Sequence, residues 1–340
     1  MLKDYLKEIV KTKKLSGISV AYVTEDSNYY LNVGFTGFKE YLNEKQAVDS
    51  NTLYDLASLT KVVSTTTLIL KLIEQGLFTL DTKIIDILPQ FKYDNVTIKH
   101  LLTHTSGLPA DNKLYKECRS ASEMWEFTIN QPLQFEPGTK VEYSDFGYII
   151  LGKVIEHYKM SIEEYATEAI FKPLEMDSTI YNPYSKGLQN ICAATEVSEE
   201  RGVIKGIVHD GKALKLNGLS GNAGLFSNTK DLVKFVRMIL NDGYPVLNKE
   251  SIELFKQSCT QGLNENRTIG WFYNDENTPV YNIGSSVALW HTGFTGGSIY
   301  IDLENKKSII ILTNRVHPSR ENDISEIRKQ VHTMLLNNEI

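Results

Sequence analysis

The chain of 340 residues has little cysteine and no excess of positive charge. Its three cysteines, Cys118, Cys192 and Cys259, are an odd and scattered set without a C-x-x-C pair. This argues against a disulfide framework and against a cysteine-based zinc site. The formal net charge of −6 gives no support to contact with a phosphate backbone. Nucleic acid is therefore not an expected partner.

Long apolar runs are also missing. No stretch reaches the roughly 18 consecutive apolar residues that a transmembrane helix requires. The N-terminal segment MLKDYLKEIVKTKK carries charges where a signal peptide needs an unbroken apolar run, and it predicts a short amphipathic helix instead. We therefore expect a cytoplasmic protein in a reducing compartment, with no membrane partner.

The apolar fraction of 41% is enough for a proper core, and the length predicts roughly two compact units. Two β-rich runs near the start, 17–22 and 29–33, are separated by polar residues and predict a hairpin. Apolar residues then recur at helical spacing over 59–75, and Gly76 follows as a candidate C-cap. A largely buried helix is expected there.

Helical patterns fill the middle of the chain and its end, whereas strand patterns return only near the C-terminus. The predicted helices lie at 146–158, 230–240 and 324–336, and the predicted strands at 298–302 and 308–313.

This order predicts an α/β fold of the α+β type, in which an antiparallel sheet built from both chain ends is flanked by helices. The expected division places 1–76 with 201–340 in the sheet domain. The segment 77–200 forms an inserted, mostly helical domain.

The sharpest local feature is the tetrad Ser58-Leu59-Thr60-Lys61 at the start of the helix predicted at 59–75. Residues three apart share a helix face, so the Ser58 hydroxyl and the Lys61 amine are expected to touch. The S-x-x-K pattern recurs at Ser227 to Lys230, where helix capping explains it, and capping is also the plain alternative for Ser58. The tetrad alone therefore does not identify a site.

Two further elements follow in order along the chain. Tyr143-Ser144-Asp145 lies in EPGTKVEYSDFGYIILG, between a loop and a predicted helix. His291-Thr292-Gly293 lies in WHTGFTGGSIYID and leads into a predicted strand, where glycine permits a close approach of ligand to backbone.

With these three elements in this order, the sequence resembles the serine β-lactamase and penicillin-binding-protein superfamily. The likeness is to the branch of class C β-lactamases, DD-peptidases and esterases, which has tyrosine in the second element. It covers nearly the whole chain and includes LLTHTSGLP at 101–109 and NAGLF at 222–226. It implies a β-lactamase/transpeptidase-like fold and an acyl-enzyme mechanism.

The resemblance implies a catalytic role for Ser58, Lys61 and Tyr143. Ser58 would be the nucleophile, and its hydroxyl needs a neighbour that takes its proton. Lys61 can be that base only if burial depresses its pKa, which the apolar helix around it favours. In the family the phenol of the second element relays a proton between serine, lysine and leaving group, and we transfer that role to Tyr143. Which group is the general base stays open.

The resemblance also implies where the substrate binds. The developing oxyanion would accept hydrogen bonds from the Ser58 amide, at a helix N-terminus, and from the amide of Phe294 on the strand edging the site. His291 and Thr292 would lie beside the carboxylate or leaving group of the substrate, with Gly293 and Asp145 completing the substrate-binding set.

Two departures from the β-lactamase pattern bear on the substrate. His291 stands where those enzymes commonly have lysine, which weakens the fixed positive charge for a substrate carboxylate. Asp145 replaces the usual asparagine, which removes an amide donor and adds a negative charge that favours a protonated Lys61. We therefore predict a serine hydrolase for a small ester, D-amino peptide or β-lactam, with esters ranked first.

The alternative hypothesis is a member of the same fold without turnover, either a receptor acylated by β-lactams or a structural protein. No cofactor and no metal are implied. His100 and His104 have helical zinc-site spacing, but HLLTH lacks the glutamate of H-E-x-x-H. The expected partner is a small acyl donor, and the sequence does not define the oligomeric state.

Overall fold

The computed structural model describes residues 1–42, 46–274, 278 and 283–340. Its strands, in chain order, are β1 Gly17–Val23, β2 Asn28–Gly34, β3 Tyr54–Asp55, β4 Ile180–Tyr181, β5 Ala194–Ser198, β6 Gly202–Lys205, β7 Leu225–Ser227, β8 Phe272–Tyr273, β9 Ala288–Thr292, β10 Ser298–Asp302 and β11 Lys307–Thr313. Its α-helices are α1 Leu2–Lys11, α2 Thr67–Glu74, α3 Ile84–Ile87, α4 Ile98–Leu102, α5 Ala121–Ile129, α6 Asp145–Tyr158, α7 Ile162–Ala166, α8 Gly211–Lys215, α9 Thr229–Leu240, α10 Lys249–Glu253 and α11 Ser325–Leu336.

The main sheet joins the two ends of the chain. Its strand order is β2-β1-β11-β10-β9-β8, and each neighbouring pair is antiparallel. Ile18 of β1 pairs with Thr313 of β11 across nearly the whole sequence. The predicted antiparallel sheet from both termini is confirmed, as are the predicted helices at 146–158, 230–240 and 324–336 to within one residue at their starts.

Strand β1 is buried along its whole length because both faces of the sheet are covered. Ile18 and Val20 face a core that also contains Leu6 of α1 and Val331 of α11. Ala21, one step further along the strand, belongs to the other and larger core, which lies beneath α9. Successive side chains of a strand point to opposite faces, so a continuous apolar run is what a strand between two helical layers requires.

The predicted helix at 59–75 is helical throughout but is not one α-helix. It opens with a 3-10 turn at Ala57–Leu59, continues as a π-helical turn at Lys61–Thr66, and becomes regular only in α2. The hydroxyl of Thr67 donates a hydrogen bond to the carbonyl of Val62, five residues earlier, which fits the wider turn. π-Helical turns are frequent at functional sites.

The middle of the chain is mostly helical, as expected, but it also contains β4 and β5. Strand β4 pairs with β7, and β3 pairs with the other edge of β7. The larger core draws on both predicted domains, for example Leu68 and Ile310 from one and Ile149 and Leu151 from the other. The division at 76/77 and 200/201 stays a prediction.

Among the described residues, no helix combines the length and apolar character needed to cross a bilayer.

Other short helical segments connect these elements. They are the 3-10 turns Lys113–Glu117, Tyr184–Lys186, Gln189–Ile191 and Leu254–Lys256 and the π-helical turn Thr167–Phe171.

Candidate active site

Ser58 lies in a tight turn between β3 and the long helical segment. The preceding Ala57 has φ +45°, a left-handed conformation that costs energy for any residue with a Cβ. The Asp55 carboxylate holds this turn, because its Oδ1 accepts a hydrogen bond from the Ala57 amide at 2.8 Å. Backbone strain at this point therefore presents the half-buried Ser58 side chain at the first turn of a helix.

Lys61 is completely buried and its ammonium has a full set of acceptors. Its Nζ donates to Ser58 Oγ at 3.1 Å, to Asp145 Oδ1 at 2.8 Å and to the Asn222 carbonyl at 3.0 Å. An ammonium has three N–H donors and no lone pair, so this arrangement matches the protonated form. The predicted contact between Ser58 and Lys61 is present.

Two opposing effects on the pKa of Lys61 were expected, and the one from Asp145 prevails, so the condition for Lys61 to be the base is not met. Burial alone would lower the pKa of Lys61, as expected, but the Asp145 carboxylate and the Tyr143 phenol act in the opposite direction. The net effect raises the pKa above its ordinary value. Lys61 is thus held as an ammonium and has no free electron pair with which to accept the Ser58 proton.

Asp145, the first residue of α6, bridges two lysines. Its Oδ1 accepts from Lys61, and its Oδ2 accepts from Lys212 Nζ at 3.2 Å. Burial acts to raise the pKa of Asp145, but the two ammonium groups outweigh it and lower the pKa to about 2. The carboxylate at this position is therefore ionised over the whole ordinary pH range.

Aromatic rings and cations surround the Tyr143 ring. The His104 ring packs on it with a centroid separation of 4.3 Å. Lys61 Nζ lies 5.0 Å from the centroid of the Tyr143 ring, and the Arg267 guanidinium carbon lies 5.3 Å from it. These contacts fix the ring and place two positive charges close to it.

His104 and Arg267 are site residues that the sequence analysis missed. His104 Nδ1 accepts a hydrogen bond from the Ser144 amide at 3.0 Å, which fixes the backbone next to Tyr143. The family resemblance included the segment LLTHTSGLP, which contains His104, but the sequence suggested for His104 only a zinc site shared with His100. Its supposed partner, His100, accepts a hydrogen bond from the Thr97 amide in the cap of α4. For Arg267, no sequence signal was available.

The turn after β9 brings the third motif to Ser58. The Gly293 backbone lies so close to the Ser58 turn that a Cβ added there would be 2.4 Å from the Leu56 carbonyl oxygen. The Thr295 hydroxyl donates to the Asp55 carbonyl at 2.6 Å. These two contacts bracket Phe294 and hold it against the segment that carries Ser58.

Phe294 lies in this turn, before β10, and not on a strand as expected. Among the described residues, its amide has no backbone acceptor. Its side chain is 47% exposed and lies between the stacked His209 ring at 5.6 Å and the Arg315 guanidinium at 4.5 Å. The Phe294 amide is therefore fixed in position and free to donate.

His291 is not beside the cleft as expected. It is 1% exposed, its Nδ1 donates to the Thr292 carbonyl at 2.9 Å, and its ring centroid lies 6.2 Å from that of Tyr143. Burial, with the positive charges of Arg267 and Lys61, holds the pKa of His291 well below its usual range. A neutral imidazole thus stands behind Tyr143. Thr292 is half-buried at the end of β9.

An open cleft of about 540 Å³ lies beside Ser58. Ser58, Tyr143, Asp145 and Phe294 from the predicted set line it, together with Lys212. Lys61, His291, Thr292 and Gly293 lie outside its lining. In the described part of the chain, no group of three or more His, Cys, Asp or Glu side chains is arranged to hold a metal ion.

Comparison with known proteins places this geometry in context. The family model described as Beta-lactamase matches residues 2–332. A putative D-alanyl-D-alanine carboxypeptidase of Escherichia coli (strain K12) is 34% identical over 312 residues, which cover 79% of this chain and 70% of that protein.

Solved structures share the fold. The octameric penicillin-binding protein homologue from Pyrococcus abyssi has a TM-score of 0.79 at 23% identity, over 99% of this chain and 77% of that one. A class C beta-lactamase has a TM-score of 0.78 at 18% identity, over 98% and 94% of the two chains.

Proposed function

The chain belongs to the beta-lactamase family of serine hydrolases, and from this premise we propose that it cleaves small acyl donors through an acyl-enzyme at Ser58. One observation carries the proposal. The Ser58 hydroxyl lies in the wall of a cleft that Tyr143 and Phe294 also line, next to a buried ammonium held by an ionised carboxylate. This arrangement joins a nucleophile, a proton-transfer group and amide donors in one place.

Proton transfer is assigned to Tyr143. Lys61 is an ammonium with its three donors in use, so it acts through its charge and its hydrogen bond to Ser58 Oγ. Tyr143 acts in this step as a phenolate, whose negative charge the nearby cations of Lys61 and Arg267 stabilise. As Ser58 attacks the acyl carbonyl, its proton passes to the Tyr143 oxygen. When the tetrahedral intermediate collapses, the phenol so formed donates that proton to the departing group.

Two backbone amides are assigned as hydrogen-bond donors to the oxyanion of the tetrahedral intermediate. The Ser58 amide lies in the first turn of a helix, where N–H groups lack intrahelical acceptors. The Phe294 amide is held nearby through Gly293 and Thr295. Loss of one such donor costs other hydrolases about 10²- to 10³-fold in turnover. A water molecule then cleaves the acyl-enzyme by the same relay in reverse.

Esters rank first among the acyl donors. The neutral, buried His291 supplies no fixed positive charge for a leaving-group carboxylate, and the Asp145 carboxylate, which only accepts hydrogen bonds, offers no amide donor to the substrate. A D-alanyl peptide is the second candidate, because the relatives at 34% identity are named putative D-alanyl-D-alanine carboxypeptidases. β-Lactams rank third, and a receptor without turnover is the alternative.

The test compares three substrates on the wild-type protein and on Ser58→Ala: p-nitrophenyl acetate, a chromogenic cephalosporin and a peptide ending in D-Ala-D-Ala. We expect ester hydrolysis to be fastest and to fall by about 10⁴-fold or more in Ser58→Ala. The matched control, Ser227→Ala, removes the serine of the second S-x-x-K tetrad and retains activity. Hydrolysis that survives Ser58→Ala contradicts the proposal.

The same panel separates the alternatives. Faster cephalosporin hydrolysis than ester hydrolysis would contradict the substrate order. A stable acyl adduct on Ser58 without turnover of any of the three substrates would instead support the receptor.

A further inference from the structure

Lys212 is a second buried lysine beside Asp145, and unlike Lys61 it lines the cleft. It lies in the first turn of α8, which the Asp210 carboxylate caps by accepting from the Ala213 amide at 2.8 Å. At Gly211, an added Cβ would lie 2.5 Å from the Tyr115 hydroxyl. Glycine thus allows the Tyr115 ring to pack against the helix, with Lys212 Nζ 4.9 Å from the ring centroid.

The Lys212 ammonium has one donor to spare. It donates to Asp111 Oδ1 at 2.8 Å and to Asp145 Oδ2 at 3.2 Å, which accounts for two of its three N–H groups. Lys212 is only 5% exposed, yet it lines the same cleft as Ser58 and Tyr143. A buried cation with an unused N–H group at the cleft wall is available to a substrate.

The charges around Lys212 indicate which acceptor it would take. Lys61 and Lys212 are balanced by the carboxylates of Asp145 and Asp111, and Asp210 adds further negative charge. Burial acts to lower the pKa of Lys212, but these carboxylates raise it above its usual value. An additional anion would therefore gain little here, whereas a neutral carbonyl oxygen can accept the remaining hydrogen bond.

We propose that Lys212 binds the carbonyl oxygen of an amide on the acyl side of the substrate, so that the preferred acyl donor is an N-acylated amino acid derivative. Lys212 would supply the hydrogen-bond donor that an aspartate at position 145 cannot, since an ionised carboxylate only accepts. Asp145 orients this lysine while it also holds Lys61. The inference rests on the proposed acyl-enzyme at Ser58 and adds the class of acyl group.

The test uses two esters with the same leaving group and the same acyl chain length, the p-nitrophenyl esters of N-acetylglycine and of pentanoic acid. Each kcat/KM is divided by the rate of spontaneous hydrolysis of that ester. The wild-type protein should favour the N-acetylglycine ester at least about tenfold, and Lys212→Met should reduce this preference at least about tenfold, the size of one hydrogen bond to a charged group. Equal loss on both esters in Lys212→Met would overturn the proposal.

Two further variants keep the result interpretable. Lys215→Met removes a cation from the same helix and should keep the preference. Asp145→Asn/Lys212→Met removes one charge of each sign and places an amide N–H at position 145, so it should regain part of the preference. If Lys212→Met does not fold, the wild-type preference decides, and its absence refutes the inference. Ser58-dependent hydrolysis without any preference would leave the proposed function standing, whereas hydrolysis in Ser58→Ala would remove both.

Discussion

Two S-x-x-K tetrads in this chain have the same spacing and opposite surroundings. At the first, Lys61 is buried and reaches Ser58, Asp145 and Asn222. At the second, Lys230 is exposed and donates to Asn51 at 3.0 Å. The difference comes from residues distant in sequence, since Asp145 and Asn222 are 84 and 161 positions from Lys61.

The backbone differs between the tetrads as well. Ser58 follows Ala57 at positive φ and lies in a 3-10 turn that faces the cleft. Ser227 ends β7, and its hydroxyl hydrogen-bonds that of Thr179 at 2.7 Å inside the protein. Spacing alone therefore places a hydroxyl and an amine near each other in sequence, and tertiary structure decides whether they form a site.

The largest expected difference between the tetrads is in turnover. Lys61→Met removes the ammonium that contacts Ser58, so kcat for p-nitrophenyl acetate should fall by about 10³-fold, in the range of a lost proton-transfer or electrostatic group. Lys230→Met removes only an exposed hydrogen bond and should change kcat less than about twofold. Steady-state kinetics of both variants measure this, and a similar effect of the two substitutions would show that burial of Lys61 has no catalytic meaning.

The next effect is on stability and its pH dependence. Asp145→Asn leaves two buried lysines without their shared carboxylate, and the free energy of unfolding at pH 7 should fall by about 3 kcal/mol. The folded-state pKa of Asp145 is about 2 and the unfolded value is near 4, so its ionised form stabilises the fold above about pH 4. The difference between wild type and variant should therefore shrink as the pH falls from about 4 towards 2.

Asp231, beside the second tetrad, provides the matched control with the opposite sign. Burial raises its pKa and outweighs the hydrogen bonds from Thr179 and Ser178. When a carboxyl group has a higher pKa in the folded state than in the unfolded state, the protein loses stability as the pH rises above the unfolded-state pKa of that group. Urea unfolding of Asp145→Asn and Asp231→Asn across pH 3 to 7 should give opposite slopes relative to wild type. Parallel slopes would contradict the account of Asp145.

The smallest effect concerns the cap of the second tetrad. Asn228 is the N-cap of α9, and its side chain accepts from the Asp231 amide at 2.9 Å. Asn228→Ala should lower the free energy of unfolding by about 1 kcal/mol, whereas Asn228→Ser should retain most of it. Neither variant should alter kcat, and a loss of kcat in a well-folded Asn228→Ala protein would link the second tetrad to the reaction.

The sequence predicted what depends on local pattern. The apolar runs near both ends, such as 308–313, predicted strands that β1 and β11 confirm, and helical periodicity placed α6, α9 and α11. It left the balance open where opposing effects meet. Burial was expected to lower the pKa of Lys61 and the Asp145 carboxylate to favour the ammonium, and only the direct ion pair in the folded protein shows that the effect of Asp145 prevails.

Residues outside any motif were harder to find. Arg267 and Lys212 have no neighbours in sequence that mark them, because their partners come from other elements: Tyr143 for Arg267, and Asp111 and Asp145 for Lys212. The positive φ of Ala57 could not be predicted from the sequence for a similar reason. Its positive φ is maintained by contacts around the turn, including the Asp55 carboxylate, and alanine has no preference for that conformation.

The most direct measurement is to find where the acyl group goes. The protein is mixed with p-nitrophenyl acetate, quenched in acid within the first turnover, digested and analysed by peptide mass spectrometry. We predict one acetyl group on the peptide containing Ser58, its absence in Ser58→Ala, and none on the peptide containing Ser227. Acetylation at another residue, with hydrolysis intact in Ser58→Ala, would contradict the account.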